Sequence, residues 1–219
     1  MNLKNRIRIS FSLEIIGGII GGIILSYLHL KVGNYYIGIL QFMIWGICLF
    51  FGSKTRDYFR KYIDKRNIRI APSWSNSLIL CILSTFILFK LSKIDSLNNW
   101  TYFLLSINIS YLGAKIKCHI NHCCNVNFEN RNVYFLKSVR LPLFEIYCTS
   151  LIILLISLLL IVGDYINFAT VISIFLLHIV LRYYCSLLRF AKRKLNSFLY
   201  DYTILVPTLI FVVVININL

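Results

Sequence analysis

Imidazoles, thiols, a carboxylate and cations gather in one stretch of this chain, Tyr111 to Tyr147, reading YLGAKIKCHINHCCNVNFENRNVYFLKSVRLPLFEIY. It holds His119 and His122, with Cys118, Cys123 and Cys124 beside them, Cys148 just beyond and Glu145 near its end. An unperturbed histidine titrates near pH 6.5 and suits general-base work, so His119 and His122 are candidate proton acceptors. Glu145 is a candidate base, a partner that orients a cation, or a helix-start acid favoured by the dipole. Cys118, His119, His122 and Cys123 (or Cys124) also offer the ligand types of a zinc site. Their spacing is not the usual one for zinc, and adjacent Cys123 and Cys124 are too strained to bridge each other.

A second constellation lies at Arg182 and Arg189. Seven residues apart on a helix, they share a face about 10 Å along its axis. Guanidinium forks suit phosphate oxygens and keep their charge at any relevant pH. Arg182 is flanked by apolar residues, which favours a site over a headgroup contact. Lys192, Arg193 and Lys194 fit simple snorkelling to an interface.

These groups must be positioned by membrane helices. Of the 219 residues, 58% are hydrophobic and only 14% charged, with a mean hydropathy of +0.76. That is too little polar surface to cover a soluble domain, where about 25% of residues are charged. Several apolar runs approach the roughly 20 residues that cross a bilayer as a helix. The expectation is an all-α, multi-pass membrane protein, about seven transmembrane helices in one bundle, residues 1–219 forming one integral-membrane domain. The spans expected are Ile9 to Leu30, Tyr35 to Gly52, Trp74 to Leu91, Trp100 to Gly113, Pro142 to Val162, Phe168 to Phe190 and Tyr202 to Leu219, the last kinked at Pro207. Between the second and third, Ser53 to Ser73 reads as a basic interfacial segment. The first span carries GGIIGG (Gly17 to Gly22), which lets helices approach closely, and Glu14, which either serves a function or reaches the interface. Ser106, Asn108 and Ser110 require the fourth span to be buried among its neighbours.

The net charge of +15 excludes little alone. In a chain this apolar the partner it implies is an anionic lipid surface, with no nucleic acid. All but three of the 23 lysines and arginines (Lys31, Lys90 and Lys93) fall on the face that also carries the central stretch. The positive-inside rule puts that face in the cytoplasm. The seven cysteines read as small hydrophobes where they lie in apolar runs, and not as a secreted disulfide framework.

GAKIKCHINHCCNV (Gly113 to Val126) resembles the signature of bacterial prolipoprotein diacylglyceryl transferases, roughly G-R-x-G-(N/C)-F-x-x-G-(E/C)-x-x-G. Lys115 stands at the arginine, Cys118 at the Asn/Cys position and Cys123 at the Glu/Cys position. PLFE (Pro142 to Glu145) looks like the family's (Q/P)-L-Y-E, and RYYCSLLR (Arg182 to Arg189) like its R-F-x-x-E-x-x-R, with Ser186 in place of the acid. The family's H-G-G element falls on Ser75-Asn76-Ser77, where its histidine is absent. The likeness covers about residue 74 to 219. It implies transfer of a diacylglyceryl group from phosphatidylglycerol to a cysteine thiol of a prolipoprotein or peptide, without a cofactor, in the bacterial cytoplasmic (inner) membrane and at its outer face. Lys115, Arg182 and Arg189 would then bind phosphate, and His119, His122 or Glu145 would serve as base. Two other readings stay open: an inactive relative that binds lipid or a partner, and a metal-binding membrane protein or transporter.

Overall fold

The structure is a computed structural model that describes residues 3–64, 74–121, 141–163, 166–190 and 210–213, with the side chains of 12–52, 77–121, 141–163, 166–185 and 210–213. Every regular element among them is helical: α1 (Leu3–Lys31), α2 (Tyr35–Asp64), α3 (Trp74–Ser92), α4 (Leu97–Ile120), α5 (Leu141–Val162), α6 (Phe168–Phe190), and one further turn at 210–213. Four segments are long and apolar enough to cross a membrane: Ser12–Lys31, Tyr35–Gly52, Leu141–Val162 and Phe168–Cys185, with a shorter apolar helix at Ser77–Ser92. Helices suit lipid because each satisfies its own backbone groups. The expected seventh span lies outside the described residues apart from its turn at 210–213.

Helix boundaries follow local chemistry. Gly33 and Gly163 take positive φ (79° and 73°) just past α1 and α5, the left-handed conformation that closes a helix C-terminus. Asn167 accepts from the Thr170 N–H (2.8 Å) and caps α6, while Ser96 accepts from the Asn99 N–H (3.3 Å) at the start of α4. Pro142 occupies the first turn of α5, where its missing N–H is no loss.

Two boundaries differ from the sequence expectation. The fourth helix does not stop at Gly113: α4 continues to Ile120, so Lys115, Cys118 and His119 stand on a helix and not on a loop. Ala114, Lys115 and Ile116 carry no helix breaker, and Lys115 finds a carboxylate partner, so its charge does not end the helix. The basic segment after Gly52 likewise begins as a continuation of α2 to Asp64.

The chain divides into two compact units. The first comprises Met1–Gly21 and Leu104–Leu195; the second comprises Gly22–Phe103 and Asn196–Leu219.

In the first unit the start of α1 lies against α4. A Cβ placed on Gly113 would sit 2.8 Å from the Leu13 carbonyl oxygen and 3.1 Å from Gly17 Cα. The GGIIGG stretch therefore works through absent side chains: only glycine permits this approach. Ser110 Oγ donates to the Gly17 carbonyl (3.3 Å) across the same contact. Ser106, Asn108 and Ser110 are all buried, as the polarity of α4 requires. On α5 Leu151 and Ile161 are exposed, whereas Glu145 is buried.

The second unit is held by packing between α2 and α3 and by aromatic edges. Trp100 meets Phe89 (5.4 Å), Phe103 (5.5 Å) and Phe211 (5.7 Å), each edge-on.

Candidate functional site

Three helices of the first unit each contribute a polar stripe. On α4 it runs Asn108, Tyr111, Lys115, spaced three and four residues apart so that all lie on one face. On α5 it is Glu145, followed one turn later by Thr149. On α6 it is His178, followed one turn later by Arg182.

Tyr111 is the hub. Its hydroxyl donates to Glu145 Oε1 at 2.8 Å. Lys115 Nζ lies 3.0 Å from the same oxygen and 4.7 Å from the centre of the Tyr111 ring. The Arg182 guanidinium carbon lies 5.4 Å from that ring centre, and the His178 ring meets it edge-on at 5.1 Å. Two cations on one aromatic ring are held by its quadrupole, a stronger attraction where water is scarce. Glu145 is 0% exposed and Lys115 7%. A buried carboxylate needs donors for its charge; Lys115 and Tyr111 supply two.

Lys115, Glu145 and Arg182 are thus brought into one cluster, although they come from three separate sequence motifs. Ser186 and Arg189 have their backbone on α6, and Ser75 its backbone in the first turn of α3, with all three side chains outside the described residues. His119 lies one turn beyond Lys115 on α4; its Nδ1 is buried and makes no hydrogen bond among the described residues. Cys118 beside it is half-buried. His122, Cys123 and Cys124 lie outside the described residues, and with them half of the suggested zinc ligands. Among the described residues no three His, Cys, Asp or Glu side chains are placed to hold a metal ion.

Glu14 has a partner: its carboxylate pairs with Lys117, near the C-terminal end of α4. Both side chains are about one-third exposed, at 38% and 32%. The acid of the first span is thus met by a cation from α4.

Three members of the cluster lie outside the candidate site residues read from the sequence: Tyr111, Asn108 and His178. Their signal is spacing. His178 and Arg182 form H-x-x-x-R on one helix face, and Asn108, Tyr111 and Lys115 form N-x-x-Y-x-x-x-K on another. Polar residues at such intervals inside apolar helices point inward together.

No family model, no curated protein and no solved structure matches this chain.

Proposed function

We propose that the chain is a divergent membrane enzyme of the diacylglyceryl-transferase kind, moving a diacylglyceryl group from phosphatidylglycerol to the thiol of a cysteine-bearing peptide or prolipoprotein. The observation that carries this reading is the convergence of Lys115, Glu145 and Arg182 on Tyr111. These are the residues at which the three resembling motifs were aligned, and they are 30 and 37 positions apart in sequence.

Each has a task in such a reaction. Arg182 binds the phosphate of the lipid and stabilises charge as glycerol phosphate leaves. Lys115 supplies a second positive charge, as a point charge and not a fork. Glu145 and Tyr111 fix Lys115 in position, a positioning role, since a buried lysine without a carboxylate would not keep its charge there. Arg189, seven residues further along α6, is the second arginine that the resemblance assigns to the phosphate.

One observation favours a second reading, an inactive relative that binds lipid. Lys115 and Glu145 neutralise each other in burial, and Ser186 stands where the family has an acid. The experiment is transfer of radiolabelled glycerolipid from phosphatidylglycerol vesicles to a cysteine peptide by the purified full-length protein. Arg182→Ala should abolish transfer, Arg182→Lys should restore little, and Lys192→Ala should be nearly silent. Equal losses from Arg182 and Lys192 replacements would indicate general membrane adhesion. No transfer by the unaltered protein, with phosphatidylglycerol still bound, would leave the inactive relative.

The charge bias supports a cytoplasmic active face, where the acceptor would be met before export. An impermeant maleimide should then label Cys123 and Cys124 only after cells are permeabilised. Labelling in intact cells would restore the outward face of the family and make exported prolipoproteins the acceptor.

A further inference from the structure

The first unit contains a histidine to which the proposal above gives no task. His178 is fully buried on α6, and its Nδ1 lies 2.8 Å from Asn108 Oδ1. The other end of that amide is anchored: Asn108 Nδ2 donates to the Leu104 carbonyl at 2.8 Å. A carbonyl oxygen only accepts, so turning the amide over would set two acceptors against each other. Oδ1 is therefore held toward the imidazole, and Nδ1 must carry the ring proton to meet it. Nε2 is left as a bare lone pair.

That lone pair is buried and has no hydrogen-bond donor among the described residues. Thr149 Oγ1, one turn from Glu145 on α5, is in the same condition. Buried polar atoms without partners are destabilising, and they are explained where a ligand's polar group supplies the partner. His178 is also where a phospholipid reaction would need it. Its ring touches Tyr111, the residue on which Lys115, Arg182 and Glu145 converge. His119 has a buried nitrogen too, but it stands one turn beyond Lys115, away from the Asn108 end of the α4 stripe.

We infer that His178 Nε2 is the catalytic proton acceptor for the attacking thiol, an inference that rests on the transferase reading. The thiol proton moves to Nε2. The sulfur electron pair attacks the glyceryl carbon of phosphatidylglycerol and forms the C–S bond. The bond from that carbon to the phosphate oxygen breaks, and its electron pair leaves with glycerol phosphate. The proton then passes from Nε2 to the departing phosphate or to water, which restores the neutral ring. Asn108 is a positioning residue: it keeps the proton on Nδ1 and so leaves the Nε2 lone pair as the acceptor.

The test uses the full-length protein in phosphatidylglycerol vesicles. Asparagine places its amide N–H near the original Nδ1 and supplies no base, so His178→Asn preserves the contact with Asn108. Transfer to an alkyl thiol at neutral pH should fall by about 10²–10⁴-fold, the usual contribution of a general base. The residual rate should climb about tenfold per pH unit toward a thiol pKa of roughly 8.5, as the acceptor ionises unaided. An acidic aromatic thiol, already ionised at neutral pH, should recover most of the loss, and phosphatidylglycerol binding should be unchanged. A merely structural histidine would show neither the pH climb nor the aromatic-thiol recovery, and either absence overturns the inference. Should His178→Asn fail to assemble, Asn108→Leu takes its place: it keeps the ring, releases its tautomer and should lower alkyl-thiol transfer about tenfold, again recovered by the aromatic thiol. Absence of transfer by the unaltered protein defeats the transferase reading and this inference with it. Normal transfer with an unaffected His178→Asn defeats the inference alone.

Discussion

Each unit buries one histidine against one side-chain amide, and the two pairs differ in what holds the amide. In the first unit Asn108 is anchored by the Leu104 carbonyl, which fixes the amide and with it the proton on His178 Nδ1. In the second unit His29 Nε2 lies 3.2 Å from Gln41 Oε1, and Gln41 Nε2 lies 3.5 Å from Thr85 Oγ1. A hydroxyl donates as readily as it accepts. The whole His29–Gln41–Thr85 chain can therefore reverse, carrying the imidazole proton from one nitrogen to the other. Their surroundings differ in the same sense. His178 meets Tyr111 within a cluster containing Lys115, Glu145 and Arg182, whereas His29 lies 5.9 Å from the ring of Phe89. A fixed proton leaves one ring nitrogen as a directed acceptor; a reversible one among aromatics makes a packed polar contact. The same residue types thus give a candidate site in one unit and a framework in the other.

The largest effect that separates the two networks is the removal of one partner. Glu145→Leu leaves Lys115 buried without its carboxylate and should destabilise the protein by about 3–5 kcal/mol. Gln41→Leu in the second unit removes only neutral contacts and should cost about 1–3 kcal/mol. Denaturant unfolding in detergent, followed by far-UV circular dichroism, compares them. Adding Lys115→Met to Glu145→Leu should recover much of the loss, since an apolar pair of similar volume often replaces a buried ion pair without penalty. Equal losses from Glu145→Leu and Gln41→Leu would mean that the first network is no more charged in effect than the second.

Next in size is the hub. Tyr111→Phe keeps the ring under Lys115 and Arg182 but removes the hydroxyl that donates to Glu145, a hydrogen bond to a charged group worth about 1.5–3 kcal/mol. Tyr111→Leu removes the ring as well and should add about 0.5–2 kcal/mol from the two cation contacts. In the second unit the hub is Trp100, whose ring meets aromatic edges and whose indole Nε1–H donates to Asp95 Oδ1 at 2.9 Å, so Trp100→Phe should lose one hydrogen bond to a carboxylate, about 1.5–3 kcal/mol. A Tyr111→Leu penalty no larger than that of Tyr111→Phe would show that the ring holds no cation.

The tautomers themselves can be read without a stability change. With ¹⁵N-labelled histidine in lipid, His178 should give nitrogen shifts of a single Nδ1–H ring, and His29 should give averaged or doubled signals. Thr85→Val should alter the His29 signals and leave those of His178 in place. A single fixed tautomer at both sites would remove the contrast between a carbonyl and a hydroxyl anchor.

Much of this was legible from composition: a chain 58% hydrophobic with so few charges is helical and membrane-bound on those grounds alone. Lys115, Glu145 and Arg182 stood out because each lies in a resembling motif. The extent of α4 did not. Charge at Lys115 and Lys117 signals a helix end only where no partner waits, and their partners, Glu145 and Glu14, lie 30 and 103 residues away. Tyr111 and Asn108 were hidden for a related reason. A buried tyrosine is ordinarily core, and a polar residue in an apolar helix shows that something must satisfy it without showing what. His178 finds its amide 70 positions back along the chain. Pairings at such separations belong to the packing, and no local pattern carries them.

The smallest effect is expected where the two units are alike. Each shows a partly exposed ion pair among the described residues, Glu14 with Lys117 in the first and Lys90 with Asp95, 3.2 Å apart, in the second. Lys117 is 32% exposed and Lys90 46%. Water and salt screen such charges, and holding two long side chains together offsets part of the attraction, so each pair should contribute at most about 1 kcal/mol. Lys117→Ala and Lys90→Ala should therefore both shift the unfolding midpoint slightly, and both shifts should shrink as salt is added. Lys117→Ala should also leave transfer to a thiol unchanged, because its partner Glu14 stands on α1 and outside the Tyr111 cluster. A loss of transfer from Lys117→Ala or Glu14→Gln, with stability intact, would extend the site along α4 toward His119 and return Glu14 to the functional reading that an acid within a membrane span invites.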